Sequence, residues 1–427
     1  MNILVLSPYP PYPPHGGGTM RIYQLVRGLA QRHQVTCLTF APDADAEAAL
    51  APLREHCRLH TVRGPAPRST LRRAWTTVAS PLPDMALRNA SPAYGGALAE
   101  LLGAQRFDVV QAESIEMARY LVDCRPQLAG RAAGRRPALV LDQFNAEYLL
   151  QKRAALTALA ALARPPSSAA GLRASARNLA GTLYSSAQWA KLAAYERRVL
   201  RAVDAAVAVS EQDARALRRL APEVRLAIAP NGVDTAHFSR PGLAALTFGG
   251  PTLVFSGTLD YRPNLDALAW FVAEVLPRIR AARPDVRLVA VGKRPAPELR
   301  QMAARGELVL TGEVADARPF IAGADVYVVP MRIGGGIRLK LLEALSLEAP
   351  TVSTSLGAEG VEGLRHAEHC LLADTPAAFA EAVLRLLDDR EYARRLGAAG
   401  RSLVRARYDW SAIVPRLEAL YSDLAGA

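Results

Sequence analysis

The chain has 427 residues, enough for two domains with a core each, and half of them are hydrophobic against 22% charged, the balance of a globular protein. No run approaches the ~18 uncharged apolar residues that a membrane helix requires, and MNILVLS has no basic region ahead of it, so neither a spanning helix nor a signal peptide is expected. The net charge of +12 calls for an anionic partner, and with no RNA- or DNA-binding motif in the chain, nucleic acid is not the expected one.

Asn2 to Leu6 reads as an apolar first strand, followed by SPYPPYPPHGGG. The prolines carry the chain off a sheet in extended form and the glycines turn it into a helix, expected to start near Thr19 as a cap. Ile22, Leu25, Val26 and Leu29 form that helix's buried stripe, and Val35 to Phe40 completes a βαβ unit, the building block of a doubly wound sheet. Residues 42 to 104 read as helical and loop material around a strand from Cys57 to Val62, without a motif. Phe107 to Gln111 and Ala138 to Asp142 are further strands, the second running into QFNAEY. From Leu149 to Ala205 the chain is rich in arginine and alanine with helical character. A solvated helix pair is the first reading of this stretch, and a membrane-facing or acceptor-binding insertion is the other, because basic amphipathic helices bind anionic surfaces.

Pro230-Asn231-Gly232 makes a tight turn suited to a crossing between domains, and residues 239 to 251, where proline and glycine cluster, are the expected linker. A second βαβ series begins with Thr252 to Phe255 and SGTLDYRPN. It continues through a helix from Asp266 to Ala281 and strands at Val286 to Val291 and Glu307 to Leu310. The most informative stretch is Ala324 to Gly363, read as strand, glycine loop, helix and second strand. Gly334, Gly335 and Gly336 leave N-H groups unobstructed where a helix is expected to open with Ile337, and such a start attracts anions. Ile337, Leu341, Ala344 and Leu345 fall on one inward stripe, whereas Lys340 and Glu343 are neighbours on another face. Glu343 lies roughly 10 Å along the axis from the glycines. A diphosphate on the helix start would therefore bring a ribose to its carboxylate, which can accept from two vicinal hydroxyls.

With Glu343, Ala344, Pro350, Thr351, Val352 and Gly357-Ala358-Glu359-Gly360 in place, this stretch resembles the nucleotide-sugar half of glycosyltransferase family 4, retaining enzymes of the GT-B fold. The resemblance covers most of the chain and is strongest over residues 230 to 360. It implies an α/β fold of two doubly wound Rossmann-like domains facing a cleft. The N-terminal, acceptor-side domain would span residues 1–240, with a C-terminal helix at 409–427 packing back on it, and the nucleotide-sugar domain residues 250–408. Arg338 and Lys340 look like a GGGxRxK variant that brings positive charge to the donor phosphates. Gly16, Gly17, Gly18 and Arg21 match a loop that faces the donor diphosphate. Arg262 stands in for cations that the family carries where this chain has Thr258 and Pro263, Val314 lies in the loop near the nucleobase, and Asn145 and Glu147 match the acceptor side. Two departures stand out: the first of two family glutamates falls on Gly335, and Phe144 replaces a histidine.

The implied reaction is retaining transfer of a hexosyl-type group from a nucleoside-diphosphate sugar to a hydroxyl on a glycan or lipid-linked acceptor, during assembly of a bacterial surface glycan. No cofactor or metal is expected, since helix-start N-H groups, Lys340 and Arg338 suffice to meet the departing diphosphate. His366, His369 and Cys370 lack a four-ligand spacing. Four cysteines without CxxC spacing fit a reduced cytoplasmic setting, peripheral to the anionic inner face of the membrane. A nucleotide-sugar-binding protein without transfer activity and a non-hydrolysing nucleotide-sugar epimerase are the alternatives.

Overall fold

The structure, a computed structural model, describes all residues but 15, 66, 130–135, 163–168 and 427, and all side chains but these and 154, 157, 158, 160–180 and 183. It forms two compact units, Met1–Pro230 with Val414–Ala427, and Asn231–Ile413. The chain leaves the first unit within the Pro230-Asn231-Gly232 turn.

The first unit is built on seven parallel strands: β1 (Asn2–Ser7), β2 (Gln34–Ala41), β3 (Arg58–Arg63), β4 (Val109–Glu113), β5 (Ala138–Gln143), β6 (Ala205–Ala208) and β7 (Leu226–Ile228), in the order β3-β2-β1-β4-β5-β6-β7. Ile3 sits between Val35 and Val109 in the register. The second unit has β8 (Thr252–Ser256), β9 (Arg287–Val291), β10 (Val309–Leu310), β11 (Val326–Val329), β12 (Thr351–Ser353) and β13 (Leu371–Leu372), ordered β10-β9-β8-β11-β12-β13. β1, β8 and β11 read as near-continuous apolar runs because helices cover both faces of a parallel sheet and leave no polar side, whereas β4 and β5, equally buried, carry Gln111, Glu113, Asp142 and Gln143. In each sheet the winding reverses once, between β1 and β4 and between β8 and β11. Ligands of open α/β sheets bind outside the carboxyl ends of the strands at that reversal.

Helix boundaries differ from expectation in two places that bear on function. The first helix is Gly17–Leu29 with Gly16 as its cap. Thr19 lies inside the first turn, where its hydroxyl accepts the Gly16 N-H at 2.9 Å, so it supports the cap from within. In the second unit the helix after the glycine loop is Leu339–Ser346, capped by Arg338. The glycines therefore precede the helix by a short extended segment. Residues 239–251 belong to the second unit, with Leu243 and Phe248 packed on its core.

The final helix, Trp410–Gly426, returns to the first unit from Val414 onward. Gly28 makes room for it, since a Cβ there would lie 2.5 Å from the Val414 side chain. Buried Tyr421 donates its hydroxyl to Gln111 on β4. At the other end of the second unit's excursion, Val233 N-H donates to the Tyr408 carbonyl at 2.8 Å and the Thr235 N-H to Asp409 at 3.1 Å, so its two ends are tied together.

Candidate nucleotide-sugar site

In the second unit the loops after β8 and β11 meet at the sheet's reversal point. The loop after β8 passes through Gly257 at φ +146, where a Cβ would lie 2.9 Å from both Asn264 Nδ2 and Lys340 Nζ. The next loop packs on it just as closely, for a Cβ on Gly292 would fall 1.8 Å from the Gly257 carbonyl oxygen. Both positions require glycine for space as well as for conformation. Asn264, buried in the Arg262–Trp270 helix, donates to the Thr258 carbonyl at 2.8 Å and accepts from Lys340 Nζ at 2.9 Å. The same ammonium lies 3.8 Å from the centre of the Phe255 ring, a favourable cation-π placement.

Lys340 and Glu343 thus sit half-buried where their charges are poorly hydrated. Burial pulls the Lys340 ammonium down to about 7, opposed by Glu343. Burial pushes the Glu343 carboxyl up to about 7, opposed by Lys340. The pair therefore titrates together around neutrality.

Arg338 folds back over the glycine loop. Its Nη1 donates to the carbonyls of Gly335 and Gly336, and its Nε and Nη2 are buried with no partner among the described residues. Gly334, at φ +121, would bring a Cβ within 2.9 Å of Nη2, so the loop can wrap this guanidinium only without a side chain there. Burial lowers the Arg338 pKa, and Glu359 opposes the shift. Two unsatisfied, charged donors at this depth are costly, and an oxyanion is the chemistry that relieves them.

The other expected donor residues are placed as follows. Gly335 has no side chain to offer where the family carries a glutamate, and Gly336 adopts φ +75. Ile337 is half-buried on the second core, packed near Gly360. Val314 also packs on that core. Arg262 is exposed in the first turn of its helix. Asn264 was not singled out by the sequence, where it reads only as the end of SGTLDYRPN.

In the first unit, Gly18 is the close-approach glycine: a Cβ there would meet the Tyr9 hydroxyl at 2.0 Å and Phe144 at 3.1 Å. Gly16 and Gly17 open the helix. Arg21 does not present its charge at this loop. It is buried and holds Asp142 through two bonds of 2.8 Å, with a third, of 3.1 Å, to the Pro230 carbonyl. Asn145 donates to Glu147 at 3.2 Å. Buried Glu196, reaching in from the Ala169–Ala202 helix, accepts the N-H groups of Glu147 and Tyr148 at 3.1 and 2.8 Å and Gln143 Nε2 at 2.9 Å, capping the Glu147–Leu162 helix. Burial raises the Glu196 carboxyl to about 8 against these bonds. Glu116 is buried near Glu147, whose carboxyl is pushed up first by burial and also by Glu116. Glu116 falls in none of the motifs read from the sequence.

His366 and His369 use ring nitrogens as acceptors for the N-H groups of Leu372 and Arg365, at 2.9 and 3.0 Å, which accounts for both as loop supports. A hollow of about 640 Å³ lined by Phe107, Arg136, Asp204 and Arg225 lies at the amino ends of the first sheet's strands, the wrong end for a ligand site of this fold.

Each unit is a doubly wound parallel α/β sheet with a glycine loop near the point where its strand order reverses. Residues 16–232 match the glycosyl transferase 4-like domain and residues 250–389 the group 1 glycosyl transferases. The chain belongs to this glycosyltransferase family. It is 33% identical over 210 residues to the phosphatidyl-myo-inositol mannosyltransferase of Mycobacterium tuberculosis, covering 46% of this chain and 54% of that protein. The chain thus spans about half the length of the curated relatives it matches. Over the whole of both chains it is similar in fold to a sucrose-phosphate synthase from Thermosynechococcus elongatus, with a TM-score of 0.68 at 18% identity. It is similar also to the Anabaena protein HepE solved with UDP, with a TM-score of 0.62 at 13% identity over 99% of this chain and 100% of that one. The fold is GT-B.

Proposed function

We propose that this protein transfers a sugar from a nucleoside-diphosphate sugar to a hydroxyl group, with retention at the anomeric carbon and without a metal ion, in the assembly of a surface glycan. The observation that carries the reading is Arg338, whose buried Nε and Nη2 lack partners beside the glycine loop, with Lys340 two residues on. These two cations and the N-H groups of Gly335 and Gly336 would meet the charge that develops on the leaving diphosphate. Glu343 would accept the ribose hydroxyls. The family membership supports the reaction class, and retention follows from the resemblance to family 4. The name of the relatives, phosphatidyl-myo-inositol mannosyltransferase, supports a hydroxyl on a lipid as acceptor, and the net charge of +12 supports a reaction at the cytoplasmic side in peripheral contact with an anionic membrane. Asn145 and Glu147 belong to the acceptor side.

The test is a transfer assay with UDP- and GDP-sugars against lipid and glycan acceptors in EDTA, reading the anomeric configuration by NMR. The expected product keeps the donor's configuration and forms at full rate in EDTA. An inverted product contradicts retention, and loss in EDTA reversed by a divalent ion contradicts metal independence. Donor turnover without an acceptor would favour the epimerase, and tight donor binding without turnover the inactive binding protein.

A further inference from the structure

The helix Thr70–Ala79 is mounted inside out. Its apolar residues Leu71, Trp75 and Val78, spaced by four and three, form one stripe, and they are 84%, 70% and 86% exposed. Its polar side faces the protein. Gln188 Nε2 donates to Thr77 Oγ1 at 3.2 Å, Lys191 Nζ donates to the carbonyls of Thr77 and Ser80, and Arg68 Nη2 donates to Thr76 Oγ1 at 2.6 Å. Ser69 caps the helix by accepting the Arg72 N-H at 3.3 Å. A surface helix normally buries its apolar stripe, so three large apolar side chains held in water by hydrogen bonds on the opposite face mark a contact surface.

The charge around it selects the partner. Between residues 56 and 83 there is no Asp or Glu, whereas Arg58, Arg63, Arg68, Arg72 and Arg73 are all present. The acidic residue that follows, Asp84, is already paired with Arg68 at 2.7 Å and Arg73 at 3.3 Å. Arg72 is exposed beside the stripe. An apolar stripe with a central tryptophan, bordered by arginine and free of acid, has the chemistry of a helix lying in a lipid interface. We infer that the Thr70–Ala79 helix docks on an anionic bilayer, inserting Leu71, Trp75 and Val78 between headgroups while Arg72 meets their phosphates. Membrane contact is thereby assigned to this face of the first unit and not to the arginine-rich stretch 149–205, much of whose side chains lie outside the described residues. The inference stands apart from the donor reading, because its test measures binding to lipid and not turnover.

The experiment is co-sedimentation of the full chain with phosphatidylglycerol/phosphatidylcholine vesicles, for wild type, the combined Leu71→Ser, Trp75→Ser, Val78→Ser variant, and Arg72→Glu. Wild type should bind, and the triple variant should bind at least tenfold more weakly with its unfolding midpoint unchanged, since three large apolar side chains no longer enter the bilayer. Arg72→Glu should weaken binding to anionic vesicles and leave binding to pure phosphatidylcholine as it was. Salt at 1 M should reduce wild-type binding without abolishing it, as the Debye length falls to about 3 Å but burial persists. Equal binding by wild type and the triple variant would overturn the inference, and so would a wild type that ignores vesicles. A wild-type dimer in size exclusion that the triple variant abolishes, with no vesicle binding by either, would assign the face to a second copy of the chain instead.

Discussion

Lys340→Ala is expected to lower turnover ~100-fold or more, the usual loss when one preorganised donor to a developing oxyanion is removed. The geometry makes the ammonium a fixed group. Asn264 Oδ1 holds it at 2.9 Å, the Phe255 ring lies 3.8 Å beneath it, and the Gly257 loop closes over it. A lysine held in this way costs nothing to reorganise as charge appears on the leaving phosphate. Arg338→Ala should act in the same direction, since its two unpartnered donors would otherwise engage the same oxyanion. Lysine to arginine is no conservative exchange here, because a planar guanidinium does not reproduce the compact point charge that Asn264 Oδ1 and the Phe255 ring hold. Steady-state kinetics of single variants in EDTA provide the check. Full turnover by Lys340→Ala would reduce that lysine to a structural partner of Asn264.

The second large effect is on stability. Arg21→Ala should cost ~3–5 kcal/mol in chemical denaturation, the range for removing one partner of a buried ion pair. The substitution would leave Asp142 and the neighbouring buried Glu113 without the cation between them. Burial already holds the Glu113 carboxyl well above the usual range, with Asp142 raising it further and Arg21 opposing. Asp142→Ala should cost less, because Glu113 could then ionise and take over the guanidinium. A larger loss for Asp142→Ala than for Arg21→Ala would show that Glu113 cannot serve as that partner.

Much of the fold was legible because β1, β8 and β11 are apolar runs, and each glycine loop lies in the segment between such a strand and the next helix. What the sequence misplaced were features decided by individual side-chain contacts, one of them local and the others distant. The helix after Gly336 was expected to begin at the glycines. It begins at Leu339 because Arg338 turns its guanidinium back onto the Gly335 and Gly336 carbonyls. Asn264 escaped notice because its partner Lys340 lies 76 residues on. Arg21 was assigned to the donor loop, whereas its carboxylate partner lies 121 residues away on β5. The Leu71, Trp75, Val78 stripe was present as a period, but a period states which residues share a face and not which way that face points.

The measurement that bears most directly on the donor site is a calorimetric titration of UDP and GDP, between pH 6 and 9, into wild type, Lys340→Ala and Glu343→Ala. A bound diphosphate would raise the Lys340 pKa from about 7, so binding should take up a proton and weaken as pH rises above that value. Below it the Glu343 carboxyl, also near 7, becomes protonated and loses its acceptor character toward the ribose, so affinity should peak near neutrality. Glu343→Ala should bind about tenfold more weakly, the worth of a charge-assisted hydrogen bond at roughly 1.5 to 3 kcal/mol, and Lys340→Ala should lose the decline above neutrality. Affinity that is flat across this range and the same in all three proteins would contradict a nucleoside diphosphate held by Lys340 and Glu343.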